Sequence, residues 1–219
     1  MSAVLFDYPK KAYFGKTIPK TKFYENGNVS SKLKELFVKQ VDKITWLYKL
    51  APETINVQAS KDVPEIQVFE IAFKGDDLSE DILLCIDKAV QFPIIFEIKS
   101  DAGVKTVCAL KTRSSGDNWK ISHYFYSTIC PVEIKRTPLE ISLSLNSIYE
   151  QVIYALSEIK IKTNETLQDF IDRIDTIMSK TAQIEQIKKK IQTERQFNRK
   201  VELNSKLRGL VEEYNKLIG

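Results

Sequence analysis

The chain has 219 residues, of which 43% are hydrophobic and 28% charged, with a formal net charge of +4. That balance excludes a disordered chain and fits one core of ordinary size plus an appendage. No apolar run approaches the roughly 18–20 residues that a membrane-crossing helix takes.

The opening MSAVLFDYPKK lacks the order of charge, apolar stretch and small-residue cleavage site of a secretory signal, so the expected location is cytoplasmic. Cys85, Cys108 and Cys130 are widely spaced, odd in number and set in apolar surroundings. They read as buried free thiols, since a reducing cytosol opposes disulfides. The net charge is unevenly spread. Residues 1–22 hold five lysines against Asp7, and residues 180–208 hold nine Lys or Arg against three Glu. Both ends are basic, and the middle is not.

Residues 1–29 are aromatic, basic and turn-prone, with Pro9, Pro19 and Gly27 against a helix, and read as an extended arm. Ser30 and Ser31 offer caps for a helix of about twenty residues carrying Leu33, Leu36, Phe37, Val41, Ile44, Leu47 and Tyr48 on one stripe, closed by Pro52. A short strand is expected over 54–57 and another over 65–74. In the second, the alternation changes parity at Val68-Phe69, which marks a bulge or a strand buried on both faces. Gly75-Asp76-Asp77 turns the chain, and Ser79 caps a helix to Val90. Strands then follow over 93–99, 104–113 and 119–128, joined by turns at Asp101-Ala102-Gly103 and Gly116-Asp117-Asn118. A helix over 144–159 ends the domain. The expected fold is α+β, with a small mixed or antiparallel sheet and flanking helices over 30–160.

Residues 165–218 read as an amphipathic basic helical tail. Phe170, Ile174, Ile177, Ile184 and Ile191 keep a 4-3 rhythm, and Leu203, Leu207 and Leu210 keep it in another phase. The slip falls between 192 and 202, so the tail is either one stuttered helix or two. A straight helix would run about 75–80 Å. A seam that long calls for a hairpin or for a coiled coil with a second chain.

Glu97-Ile98-Lys99 at a strand end matches the Glu-x-Lys half of a metal-dependent nuclease site, chemistry that needs a second carboxylate on an adjacent strand. The nearest upstream acids are Asp87, inside the helix expected over 79–90, and Asp76 and Asp77, which precede that helix, so no direct hairpin joins either choice to the strand. Gly15-Lys16-Thr17 lacks the glycine five positions earlier, the preceding strand and the following helix of a phosphate-binding loop. His123 is the sole histidine, and with three scattered cysteines it makes no zinc set. The arm interleaves Tyr8, Tyr13, Phe14, Phe23 and Tyr24 with lysines. The favoured reading is an arm pinned by its aromatics with lysines reaching outward; the second is base stacking with phosphate neutralisation. Lys188, Lys189, Lys190, Arg195, Arg199 and Lys200 form the strongest basic set, suited to nucleic acid or to an acidic protein surface.

The segments IPKTKFY (residues 18–24), FVKQVDKITWLYKLAPETINV (37–57), AVQFPIIFEIK (89–99) and ERQFNRKVELN (194–204) together resemble the bacterial domain of unknown function numbered 4391, in the same order over nearly the whole chain. That family has no assigned reaction and no catalytic residues to carry over. Its members tend to be encoded near helicases and DNA methyltransferases of restriction-like and phage-defence systems, so the resemblance implies an accessory role around DNA. The leading expectation is therefore a non-enzymatic accessory protein of such a system. It would bind a protein partner (a helicase or methyltransferase of that system, or a second copy) or DNA through its tail, with no cofactor, small molecule or membrane. The alternatives are a divergent metal-dependent nuclease using Glu97 and Lys99, and a homodimerising structural protein.

Overall fold

The computed structural model describes residues 3–24, 29–75, 78–113, 119–140 and 142–219. The chain divides into two compact units, residues 1–158 and 159–219.

In the first unit β1 (Phe6–Asp7) precedes a 3-10 turn (Lys10–Ala12), β2 (Tyr13–Ile18), α1 (Thr21–Tyr24), α2 (Ser31–Gln40), β3 (Val41–Leu50) and α3 (Pro52–Ile55). Then come β4 (Ile66–Phe73), α4 (Glu80–Ala89), β5 (Ile94–Ser100), β6 (Gly103–Arg113), β7 (Trp119–Tyr126), β8 (Thr137–Pro138) and α5 (Leu145–Leu156). Strands β2 to β7 form one sheet in chain order, antiparallel except for the β4–β5 pair, which is parallel across α4. The fold is mixed α+β.

The helix expected over 31–50 is half helix and half strand. Ser30 does cap it, its side chain accepting from Leu33 N at 3.3 Å, but the helix stops at Gln40. Val41, Ile44, Thr45, Trp46 and Tyr48 are β-branched or aromatic, and they fit a strand held between β2 and β4. The stripe of apolar positions suits either period, and pairing on both edges decides it. Residues 1–29, read as an arm, instead contribute the edge strand β2 and the short helix α1. The strand expected over 54–57 gives way to α3, where Pro52 sits in the first turn and Asn56 takes a left-handed φ of 54°. At the parity change, β4 is buried along its first half, and the extra residue lies opposite it on β3. There Trp46 pairs with Phe69 and Tyr48 with Val68, leaving Leu47 unpaired. The turn expected over residues 116–118 and Asp76-Asp77 lie outside the described residues.

The main core fills one face of the sheet. Phe37 of α2 and Ile82, Leu83 and Ile86 of α4 cluster with Phe69, Ile71, Ile94, Phe96, Ile98 and Val107. Tyr149 of α5 is buried and mends a gap in β6. At the bulge between Ala109 and Lys111 its hydroxyl donates to Ala109 O at 2.5 Å and accepts from Lys111 N at 2.7 Å. A backbone break that would otherwise bury unpaired groups is thereby closed. All three cysteines are free and buried.

The second unit comprises α6 (Leu167–Thr193) and α7 (Phe197–Ile218). No helix among the described residues is long and apolar enough to cross a membrane.

Candidate partner interface

Thr166 starts α6 with a reciprocal cap: its hydroxyl accepts from Asp169 N at 3.2 Å, and Asp169 Oδ2 accepts from Thr166 N at 3.3 Å. The helix runs 27 residues, about 40 Å, and ends where the hydrophobic rhythm slips. Glu194 makes the break, its carboxylate accepting from Arg195 N at 2.8 Å and Gln196 N at 2.9 Å. Those bonds, led by Gln196 N, hold its carboxyl below the usual range. The chain then reverses into α7. Arg173 Nη1 donates to Leu217 O at 2.9 Å, Lys180 pairs with Glu213, and Lys162 Nζ reaches Lys216 O at 3.3 Å. The tail is a helical hairpin, so the slip is a break between two helices.

Arg173 closes the open end of that hairpin. Besides Leu217 O it donates to both oxygens of Glu165, at 2.5 and 2.6 Å, and to Lys160 O at 2.8 Å. Its hydrogen bonds keep the Glu165 carboxyl below the usual range. The sequence hid this role, because an arginine between Phe170 and Ile174 looks like a solvated flank. Of the expected seam, Phe170, Ile174, Ile177 and Ile184 are buried, while Ile191, Leu203, Leu207 and Leu210 are half-buried. No residue of α7 is fully buried.

The turn brings the basic residues of the two helices to one end of the hairpin. Lys190 lies in the last turn of α6 with Lys188 and Lys189 just before it, while Arg195 precedes α7 and Arg199 and Lys200 lie in its first turn; all are exposed. Lys188 pairs with Glu185 at 2.8 Å. Cations at the end of α6 complement its dipole, which gives them a structural reason to be there. Arg199 and Lys200 lie at the positive end of α7, whose first turn holds no acidic residue. They oppose the dipole there, with the Glu194 carboxylate just ahead of the helix as the local counter-charge. Beside them Phe197 is 79% exposed, and Val201, one turn on, is exposed too. A cleft of about 500 Å³ at this end is lined by Lys190, Arg199, Leu203 and Lys206 together with Glu194 and Glu202.

Glu97 lies on β5 and is 2% exposed, and Lys99 is exposed two residues on. Both oxygens of Glu97 are taken by Arg136, Nη1 to Oε1 at 2.6 Å and Nη2 to Oε2 at 2.9 Å. Nη1 also donates to Phe6 O at 2.7 Å, and Thr106 Oγ1 to Val4 O at 2.6 Å. The pair thus staples the N-terminal segment to the sheet, and it keeps the Arg136 guanidinium charged. Tyr8, buried beside it, has a hydroxyl with no partner among the described residues, and burial pushes its pKa well up. Glu70 on β4 stands in register with Glu97, a neighbour missed in sequence because a helix and about 25 residues intervene. Asp87 is elsewhere, at the end of α4. No cluster of three metal-ligating side chains occurs among the described residues.

Asp87 belongs to a second buried group. Lys111 Nζ donates to Asp87 O at 2.6 Å, to Phe92 O at 3.0 Å and to Val90 O, capping the last carbonyls of α4. Tyr124 donates to Asp87 Oδ2 at 2.6 Å, and Lys111 Nζ lies 3.8 Å from Oδ1. Burial pushes Asp87 up to about 6 and Lys111 down to about 8. Two of the carbonyls Lys111 reaches, Asp87 O and Val90 O, belong to the end of α4 and the third, Phe92 O, to the loop beyond it, which marks Lys111 as structural. Gly15-Lys16-Thr17 lies on β2, and His123 on β7.

The model of the domain of unknown function DUF4391 matches residues 6–213. The chain belongs to that family. The four segments that carry the resemblance fall in both units. No curated protein and no solved structure matches the chain.

Proposed function

We propose that this DUF4391 protein is a non-enzymatic accessory protein of a DNA-processing or phage-defence system, and that the basic end of the α6–α7 hairpin docks its partner. The partner is an acidic protein surface of that system, such as its helicase or methyltransferase, or DNA itself. The observation that carries this is the pair Arg199 and Lys200 in the first turn of α7, against the dipole, beside exposed Phe197 and Val201. Cations placed where the helix disfavours them, around an exposed aromatic, suit a charged partner better than they suit the hairpin itself.

The test is titration of labelled duplex DNA at several salt concentrations, with wild type and a variant carrying Lys189→Ala, Arg195→Ala and Arg199→Ala. Direct phosphate contact gives a salt slope that shrinks by roughly one unit per lost cation. Wild-type binding that the triple variant leaves unchanged sinks the assignment. If wild type does not bind DNA, the hairpin serves as bait for protein partners, and capture that survives the triple variant sinks it equally.

A second reading, self-association, has its own support, since α7 has only half-buried leucines along its seam. Light scattering on the full chain and on a Leu207→Asp, Leu210→Asp variant separates the two. For the nuclease alternative, Glu70 in register on β4 is a second carboxylate on an adjacent strand, but both oxygens of Glu97 are engaged by Arg136.

A further inference from the structure

We propose that the first unit carries a second binding site, for unpaired bases of a single-stranded nucleic acid, in the cleft beside the edge strand β2. It is independent of the hairpin. Its origin is a local backbone event. Gly15 has φ +64°, and a side chain there would meet the Tyr13 ring at 2.6 Å. This bulge lies between the pairs Tyr13↔Tyr48 and Lys16↔Trp46, and β3 has its own irregularity at Leu47. Together the two sort the aromatics onto opposite sides of the sheet. Tyr13 meets Tyr48 edge-on, with ring centroids 5.5 Å apart, while Phe14 lies tilted against Trp46, at 4.3 Å.

Phe14 is 42% exposed, a large ring left open on a basic strand. The indole beneath it is fixed, since Trp46 Nε1 donates to Tyr48 O at 2.8 Å. The Lys16 ammonium lies 5.5 Å from the Phe14 centroid. A base stacking on Phe14 takes that place, and the flexible lysine stem carries its charge to the adjoining phosphate. Next to this pair is a cleft of about 390 Å³, within the size range of small-molecule sites at roughly 300–1,000 Å³. Trp46 and Phe92 give it aromatic walls over the buried ring of Phe69, Gln67 and Gln91 give it amides, and Lys22 is part of its lining. Gln67 Nε2 donates to Glu65 Oε1 at 2.7 Å, which orients the amide and leaves its oxygen as an acceptor. Fixed aromatic faces, a few oriented amides and a fringe of lysines is the composition that unpaired bases on a phosphate chain select. Lys16 at the Phe14 ring and Lys22 in the cleft lining supply the complementary charge, in a segment where five lysines stand against Asp7 alone over residues 1–22. An acidic peptide would match the lysines but would leave the paired rings and the amide-lined cleft without a role.

The chain has two tryptophans, so in a Trp119→Phe variant the emission reports Trp46 alone. Titration of that protein with oligodeoxyuridylate and oligouridylate of about ten nucleotides, which differ only in the 2′-hydroxyl, tests the site. The expected result is saturable quenching by at least one of them, and the tighter of the two names the sugar. Phe14→Ala, at an exposed ring, weakens binding by roughly ten-fold, and Lys22→Glu weakens it with a smaller salt slope. The Lys189, Arg195, Arg199 triple variant leaves the quench unchanged, which keeps this result separate from the hairpin test. Absence of quenching by either strand at low salt overturns the proposal. So does equal quenching by a duplex, by inorganic polyphosphate or by polyglutamate, since none of these offers an unpaired base.

Discussion

The two units differ in how completely they bury themselves. In the sheet unit Phe37, Phe69, Phe96, Ile71 and Ile82 are almost wholly out of water, and even the polar atoms at strand and helix irregularities find partners. In the hairpin, α7 has no fully buried side chain, and Phe197 stands nearly free. The sheet unit has what it needs to persist as a folded body. The hairpin keeps apolar and cationic surface in reserve, which is where a partner adds most.

Core truncation should break this contrast most visibly. Phe96→Ala is expected to destabilise the sheet unit by about 3–5 kcal/mol in urea unfolding. Leu207→Ala, in the half-buried seam, should lower hairpin stability by about 1 kcal/mol, well under the range for fully buried leucines. Equal losses at the two positions would mean that α7 is better packed than its exposure indicates.

Removal of Arg136 is next in size. Arg136→Ala leaves Glu97 buried and unpaired, and the loss is expected near 2–3 kcal/mol; full burial of both partners would give about 3–5, and the Arg136 side chain is 35% exposed. The double variant Arg136→Met, Glu97→Gln should recover part of it, since no charge then stays buried. No recovery would point to the Phe6 contact as the larger contribution.

Asp87 gives the sheet unit an acid-side signature opposite in sign to that of the hairpin, whose Glu165 and Glu194 are held below the usual range. The folded Asp87 carboxyl holds its proton to about 6 against an ordinary 3.8, so it favours folding below pH 3.8, and that stability is lost as pH rises through 6. Folded Lys111 loses its proton near 8 against an ordinary 10.5, so its contribution is full above 10.5 and is lost as pH falls through 8. Asp87→Asn keeps an acceptor for Tyr124 and should flatten the acid limb of stability against pH; with the carboxylate charge gone from beside Lys111, the alkaline limb should move to lower pH. An acid limb unchanged by Asp87→Asn would assign it to another carboxyl.

The smallest effect expected is on stability itself in the Lys189, Arg195, Arg199 triple variant. These are exposed side chains, so thermal unfolding should move by no more than about 0.5 kcal/mol per site even where binding is lost. A large drop would turn the basic end into a structural element.

Much of the sheet unit was legible along the chain. Strands β4 to β7 and helices α4 and α5 are bounded by punctuation such as Ser79, Pro93, Gly103 and Ser144, and β4 shows its irregularity as a change of parity at Val68-Phe69. The stretch 31–50 was not, because one apolar spacing satisfies a helix and a strand alike. The basic set at the hairpin end was readable as charge, but Arg136, Arg173 and Lys111 were not readable as anchors. Their partners lie 39, 8 and 24 residues away or are backbone carbonyls, which leave no mark in side-chain sequence.

What the sequence determined by itself is local: where turns and caps fall, which segments alternate, that three thiols sit in apolar surroundings, and that the tail rhythm slips before residue 202. The tertiary structure decided the rest. It made β3 from the second half of an apparent helix and an edge strand from an apparent arm. It made a hairpin of the tail and an ion-pair staple of Glu97. The reason is common to all four: each depends on groups far apart in the chain, and pairing them satisfies backbone and charge that local propensity leaves open.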